Sequence, residues 1–542
     1  MAQTKFTIED NVIKGEEKSI PVSSLCIGDI ILKVFNDKPN HVSQIEVETG
    51  KQTTYGEMKE TSVRCAMWLQ KLGIKNDDVV AVCTPNQPMD YVPVIATLLV
   101  GAIYNPWHHE FTLKTARHLM NLIQPKVIFS CASAVNVLRD AARLEGVKVE
   151  RIVVFEAQQC PGDGKPQILR LSDVLGGNDR PTESFRINES KSEDEVAMVM
   201  FSSGTTGLPK GVSYSIKAVK NLLNGLAVMP SSFTNLLWYS PLYWISGTFS
   251  LFQTTMCSKR RILHSTFEPE DTCRVIDEYK VEWLFLAPSM LAHLCKSRVL
   301  ESHELDSLKF FLTGGSKVGK GFIEQINRYL PNVVFTQAYG MTESGGVLAV
   351  TTNHCTRIDS VGFINANTRM KIVDLESGRA LGPKESGEIC FKATNAMVGY
   401  YRNPKATREM MDDEGWYHTG DIGYYMDNGE IVIVDRLKEV MKYRGHQIAP
   451  SEIEEYLMSH NAVLEAAVVP IPHDFDIEIP MAFVQRVPGF KVSEEELVDF
   501  SAQLDDKKKL RGGVKFLNEL PHTASGKINR KLLRDLAVAS SA

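Results

Sequence analysis

The chain has 542 residues, 43% hydrophobic and 23% charged. This is more than one hydrophobic core usually serves, so two or more domains are expected, with the composition of an ordinary globular protein. A formal net charge of −6 supplies no general attraction for nucleic acid or an anionic membrane. Ten cysteines are scattered without a C-x-x-C pair or a compact cluster. Neither a zinc site nor a disulfide framework is signalled, and reduced, mostly buried thiols are expected.

The first fifteen residues carry acidic side chains and no apolar h-region, so no signal peptide is read there. Strand-length apolar runs then alternate with helix-length ones: Val79–Thr84 before Val92–Tyr104, and Val127–Ser130 before Ala134–Leu144. Alternation of this kind predicts parallel sheets with helices on their faces. Tyr91–Tyr104 is the longest apolar run, contains Pro93 and Gly101, and is shorter than the roughly 20 residues that span a bilayer. It is predicted as a buried core helix, with no transmembrane segment. Leu175-Gly-Gly177 is followed by Asn178-Asp179 where a carrier-protein attachment site needs serine, which excludes a fused carrier domain.

The apolar run Ala197–Phe201 leads into Ser202-Ser-Gly-Thr-Thr-Gly-Leu-Pro-Lys-Gly211. Small residues let a backbone close around an oxyanion, hydroxyls and amides donate to phosphate oxygens, and Lys210 adds a mobile positive charge. The loop is not a Walker motif. Pro209 stands where the second glycine belongs, and Gly211 where Ser or Thr belongs. By composition alone, an ordinary surface turn explains the stretch equally well.

Further segments follow. Gln337-Ala-Tyr-Gly-Met-Thr-Glu343 comes after the apolar Val333–Phe335, and Tyr417-His-Thr-Gly-Asp421 precedes a hairpin turning at Asp427-Asn-Gly429. Asp435-Arg-Leu-Lys438 closes the strand predicted over Ile431–Val434, and Val440-Met-Lys-Tyr-Arg-Gly445 comes next. Pro450 begins a predicted helix with a Ser451/Glu454 capping box. Strand-like runs at Ala466–Pro470 and Met481–Arg486 complete a small α+β unit. Nine Lys or Arg lie between Lys507 and Arg534; such a run is ordinarily a solvated face, and the sharper alternative is attraction of a polyanion. Within it stands Thr523-Ala-Ser-Gly-Lys-Ile-Asn-Arg530.

Six motifs in this order resemble the adenylate-forming superfamily of acyl-CoA synthetases, coumarate–CoA ligases, beetle luciferases and peptide-synthetase adenylation domains. The resemblance spans Thr53 to Leu533. It implies an α/β fold: a large N-terminal domain of stacked βα subdomains, residues 1–436, and a small mobile α+β domain, residues 437–542. The implied chemistry has two halves. A carboxylate attacks the α-phosphate of Mg-ATP to give acyl-AMP, and the thiol of CoA then displaces AMP.

Carried over residue by residue, the resemblance gives Ser202, Ser203, Gly204, Thr205, Thr206, Gly207 and Lys210 to the β- and γ-phosphates. Thr342 contacts the α-phosphate, and Glu343 places Mg²⁺. Gly314, Gly315, Ser316, Tyr339, Gly340 and Met341 frame adenine and the carboxylate. Asp421 accepts from the ribose hydroxyls, with Arg436 beside it. Lys527 bridges the attacking carboxylate and the α-phosphate. Lys438 is the hinge, while Lys442 and Gly445 face the adenylate during thioester formation.

Pro241-Leu-Tyr-Trp-Ile-Ser-Gly247 departs from the family. Tyr243 and Trp244 stand where many relatives carry histidine, so with Gly247 they are expected to shape an acyl pocket without supplying a base. No aspartate is present there to receive an amino group, which argues against an amino-acid substrate. Ile477 replaces a glycine common before the E-x-P triplet. A medium- or long-chain fatty acid is the first expectation for the substrate. An aryl-propenoate ligase, a luciferase and a silent acyl-nucleotide-binding protein are the alternatives. A monomer in the cytoplasm or peroxisome is expected, although the C-terminal Ala539-Ser-Ser-Ala542 is not an S-K-L address.

Overall fold

The computed structural model describes the chain except for residues 1–4, 19–24, 156–165, 178–180, 189–191, 203–207, 225–231, 445, 474, 524–526 and 542. Val79–Cys83, Ile103–Trp107 and Val127–Ser130 are buried along their whole length, as strands covered on both faces must be. With Arg151–Val154, Gln167–Arg170 and Val196–Ser202 they make the parallel part of an eight-stranded sheet. Lys210–Ser215 and Gly399–Tyr400 add to it antiparallel. A nine-stranded sheet has its own parallel run: Val42–Glu46, Arg260–Leu263, Asn235–Trp238, Trp283–Leu286, Phe310–Gly314 and Val334–Met341.

Helices Tyr55–Lys71, Tyr91–Leu99 and Ile245–Met256 share one hydrophobic core with side chains from both sheets, among them Tyr104, Met198, Trp238 and Trp283. A buried ion pair also joins the sheets. Asp90, at the start of helix Tyr91–Leu99, takes a bidentate contact from Arg261 of strand Arg260–Leu263 at 2.8–3.0 Å. The Arg261 guanidinium lies 5.0 Å from the Trp238 ring centroid.

A six-stranded antiparallel sheet runs Phe6–Glu9, Val12–Gly15, Thr368–Val373, Gly387–Ala393, Tyr417–Tyr425, Ile431–Arg436. Past Arg436, a five-stranded sheet holds Met441–Tyr443, His446–Ile448, Val463–His473, Ile477–Arg486 and Val514–Leu517. A large α/β domain thus precedes a smaller α+β one, as expected.

Three local expectations need correction. Tyr91–Tyr104 is not one helix: helix Tyr91–Leu99 ends, Gly101 turns the chain at φ +71°, and Ile103–Trp107 becomes a buried strand. Apolar content could not separate these two elements, because both are buried on all sides. The Ser451/Glu454 capping box does not form. Pro450 takes the first helical position, leaving Ala449 as a cap without a side-chain bond. Ser451 instead donates to the Val434 carbonyl, and Glu454 accepts from the Val468 N–H and pairs with Arg530. Finally, much of the basic run is satisfied internally, through Lys508–Glu452, Arg511–Asp506 and Arg534–Glu439. Exposed Lys507 and Lys531 keep the character of a solvated face.

Ile477 sits at φ +70° with 55% exposure. A β-branched residue in the left-handed region carries about 1–2 kcal/mol of steric cost that glycine does not, which gives that departure a physical meaning.

Candidate active site

The parallel strands of both large sheets end in the loops that carry the motifs. His108-His109 follow Ile103–Trp107, the loop from Ser203 follows Val196–Ser202, and Pro241–Gly247 come soon after Asn235–Trp238. Gly315-Ser316 follow Phe310–Gly314, and Thr342-Glu343 follow Val334–Met341. Ligands of open α/β sheets bind beyond these carboxyl ends, where diverging loops leave a crevice. Ser203, Gly204, Thr205, Thr206 and Gly207 lie outside the described residues, as does Gly445.

What flanks the loop is well defined. Ser202 and Lys210 face each other across the hairpin. The Lys210 ammonium lies 4.8 Å from the Tyr400 ring centroid, and the Tyr400 hydroxyl donates to Glu343 Oε1 at 2.8 Å. Burial and the Glu343 charge push the Tyr400 phenol up, so it stays a donor. The Tyr214 hydroxyl donates to the Thr342 carbonyl, and the Met397 N–H donates to the Glu343 carbonyl at 2.9 Å. Thr342 and Glu343 are thereby fixed by residues more than fifty positions away. Gly340 permits a close backbone approach beside them: a Cβ there would meet the Gly346 carbonyl oxygen at 2.2 Å.

A second cluster forms where strands Tyr417–Tyr425 and Ile431–Arg436 pair, with Asp421 opposite Arg436. Asp421 is 7% exposed, accepts from the Tyr339 hydroxyl at 2.7 Å and lies 3.4 Å from Arg436 Nε. Lys527, partly exposed as a residue, lies within electrostatic reach of this cluster. Burial first, then the Arg436 charge, lower its pKa to about 8; Asp421 and Glu343 oppose that fall. Lys527, Asp421, Arg436 and Glu343, which span more than 180 positions of sequence, therefore act on one another in this structure.

Gly314 pairs with Ala338 in parallel register. Gly315 and Ser316 are exposed just beyond it, and Met341 donates its N–H to Ser344 Oγ at 3.2 Å. Lys438 is exposed in the turn after Arg436, where the Leu437 N–H donates to the Gly420 carbonyl at 2.8 Å. Lys442 is also exposed; its backbone N–H donates to Glu478 at 2.7 Å.

Tyr243 and Trp244 are half-buried, with rings at right angles and centroids 6.3 Å apart. Gly247 lets the helix Ile245–Met256 start against Pro241: a Cβ there would meet the Pro241 carbonyl oxygen at 2.1 Å. The histidines missing at positions 243 and 244 have a counterpart from another loop. His108 and His109 are stacked at 5.2 Å, and His108 lies 4.4 Å from the Tyr243 centroid. Burial lowers the pKa of both imidazoles, which disfavours their charged forms. Their signal in the sequence was an adjacent His-His pair at the end of an apolar strand; Tyr214 and Tyr400 had no comparable local signal.

The AMP-binding enzyme family model matches residues 32–401, and the AMP-binding enzyme C-terminal domain model matches residues 452–527. The chain belongs to this adenylate-forming family. A luciferin 4-monooxygenase of Photuris pensylvanica is 32% identical over 540 residues, covering 97% of this chain and 98% of that protein. A 4-coumarate–CoA ligase of Vanilla planifolia is 32% identical over 542 residues, covering 97% and 95%. The solved luciferase-like enzyme of the nonluminescent mealworm Zophobas morio is 27% identical, with a TM-score of 0.72 over 79% of this chain and all of that one. As an adenylate-forming enzyme, the protein is similar to CoA ligases and to luciferases alike. Among the described residues, no helix is long and apolar enough to cross a membrane.

Proposed function

We propose that the protein is an ATP-dependent acid–thiol ligase converting a medium- or long-chain fatty acid first to acyl-AMP and then to acyl-CoA. The observation that carries this reading is Lys527: one ammonium, from the small domain, within electrostatic reach of Asp421, Arg436 and Glu343 of the large one. Adenylation joins two anions, so it needs a positive charge held between carboxylate and α-phosphate before attack, when it costs no reorganisation. Lys527 supplies that charge in this reading. Asp421, between a phenol and a guanidinium, accepts from the ribose hydroxyls in this reading. Ser202, Lys210 and the loop from Ser203 to Gly207 hold the outer phosphates, and Thr342 the inner one. Gly314, Gly315, Ser316, Tyr339, Gly340 and Met341 wall the adenine and carboxylate.

Glu343 fits a single Mg²⁺ ligand. It is a buried carboxylate held by a phenol, suited to a cation whose other ligands are phosphate oxygens and water. Bound there, the cation would neutralise phosphate charge. The domains divide at Arg436/Leu437 in this reading, with Lys438 as the pivot. Lys442 and Gly445, in the small domain by sequence, serve the thioester half-reaction after the domain turns in this reading.

Lys527 makes the first half-reaction pH-sensitive. Only the ammonium can bridge two anions, and in the free enzyme its pKa is about 8. The kcat/KM for ATP in pyrophosphate release is therefore expected to fall as pH rises through about 8, since that ratio reports the free enzyme. A value unchanged to well above this range would remove Lys527 from the role.

The absence of any acidic side chain from Leu242 to Gly247, and the aromatic pair at its centre, support an apolar acid. Pyrophosphate release with a panel of acids tests this. Fatty acids are expected to trigger it and free amino acids not, and Trp244→Ala to broaden chain-length tolerance. Amino-acid-dependent release exceeding that with fatty acids would overturn the substrate class. An aryl-propenoate is the second reading, favoured by similarity to a coumarate–CoA ligase; cinnamate outperforming every fatty acid in the panel would establish it.

A further inference from the structure

Strands Gly387–Ala393 and Tyr417–Tyr425 place Cys390 directly opposite His418. Glu388 lies two residues from Cys390 on the same strand, so both side chains point to one face. His418 Nδ1 is 2.8 Å from Glu388 Oε2 and 3.5 Å from Cys390 Sγ. One ligand atom from each of the three residues lies within 4.8 Å of the other two. On its other side, His418 Nε2 is 3.7 Å from Asp412 Oδ2. Asp412 is itself anchored, since its Oδ1 accepts from the Trp416 N–H at 2.8 Å.

We propose that Glu388, Cys390 and His418 form a binding site for a borderline-soft divalent cation of the zinc class. A thiolate, an imidazole and a carboxylate are the donors such a cation takes, whereas Mg²⁺ and Ca²⁺ select oxygen alone. The spacing agrees. A tetrahedral centre with bonds of about 2.3 Å to sulfur and about 2.0 Å to nitrogen sets those atoms ~3.6 Å apart, and Cys390 Sγ and His418 Nδ1 are 3.5 Å apart. The Glu388–His418 contact has only to open slightly for the cation to replace the shared proton. Asp412 has to close in from 3.7 Å to accept from the distal ring nitrogen, which would give the carboxylate–histidine–metal arrangement that orients an imidazole ligand.

Charge also balances. The thiol proton leaves to solvent on coordination, and one thiolate and one carboxylate neutralise a divalent cation. His418 is 34% exposed at its side chain, giving the ion a way in and leaving room for water as the fourth ligand. The site uses none of the residues assigned to nucleotide but adjoins them: Glu388 Oε1 accepts from the Gly420 N–H at 3.0 Å, one position before Asp421. It escaped the sequence because its ligands lie on two strands with no Cys–Cys spacing to mark them.

The test is a titration of the full-length, metal-stripped protein with Zn²⁺ against a chromophoric chelator, with melting temperature as a second readout. The wild type is expected to bind one Zn²⁺ with a rise in melting temperature. Cys390→Ser and His418→Gln should weaken that binding about tenfold or more, as should Asp412→Asn through the ring it orients. Co²⁺ in place of Zn²⁺ should give a thiolate charge-transfer band that Cys390→Ser abolishes. Wild-type zinc affinity in the Cys390→Ser variant, or no one-to-one binding by the wild type, would overturn the assignment. Should Cys390→Ser fail to fold, Glu388→Gln decides by the same criterion.

Discussion

Lys527→Ala is expected to lower acid-dependent pyrophosphate release by about 10²–10³, the usual loss when a preorganised electrostatic contact to developing charge is removed. The ammonium it deletes lies within electrostatic reach of Arg436, Asp421 and Glu343. The same variant, given synthetic acyl-AMP and CoA, should form thioester at close to the normal rate, because in the proposed mechanism that step follows a turn of the small domain that takes Lys527 away. Gly445→Leu should do the reverse, accumulating acyl-AMP because bulk on that loop obstructs the pantetheine arm. Pyrophosphate release and chromatography of acyl-CoA, run on both variants, separate the half-reactions. Equal loss of both half-reactions in both folded variants would contradict a turning domain.

Asp90→Ala is expected to destabilise the protein by about 3–5 kcal/mol, because it leaves a buried guanidinium without its counter-charge. Arg261 and Asp90 have side chains 3% and 0% exposed, so solvent cannot take the carboxylate's place. The loss falls between the two large sheets, where Asn86 also donates to the Tyr239 carbonyl at 3.1 Å. The paired replacement Asp90→Leu with Arg261→Met should recover most of the stability, since apolar side chains of similar volume often replace a buried pair without net cost. Urea unfolding measures both. A single-variant loss below about 1 kcal/mol would show that water or a rearranged partner reaches Arg261.

Legibility followed the range of the interactions. The strand leading into Ser202, the hairpin turning at Asp427–Gly429, and the order of the motifs were readable because local composition determines them. The division of Tyr91–Tyr104 into a helix and a strand was not, since a fully buried helix and a fully buried strand carry the same apolar signature. The failed capping box shows a tertiary partner winning locally: Glu454 is worth more beside Arg530 than at a helix end where Pro450 has already displaced the cap. Tyr214, Tyr400 and the His108–His109 pair were missed as site residues because their contacts reach across 57 to 135 positions of sequence. Ile477 was visible as a departure, and its left-handed backbone supplied the reason.

The most direct test of an adenylate intermediate is to follow oxygen. With the carboxyl oxygens of the acid labelled with ¹⁸O, attack on the α-phosphate and later displacement by CoA must leave one labelled oxygen in AMP. Mass spectrometry of the AMP from a full turnover should find that single label and unlabelled pyrophosphate. Unlabelled AMP, or label in orthophosphate with ADP as the product, would place the chemistry at another phosphorus and contradict the account.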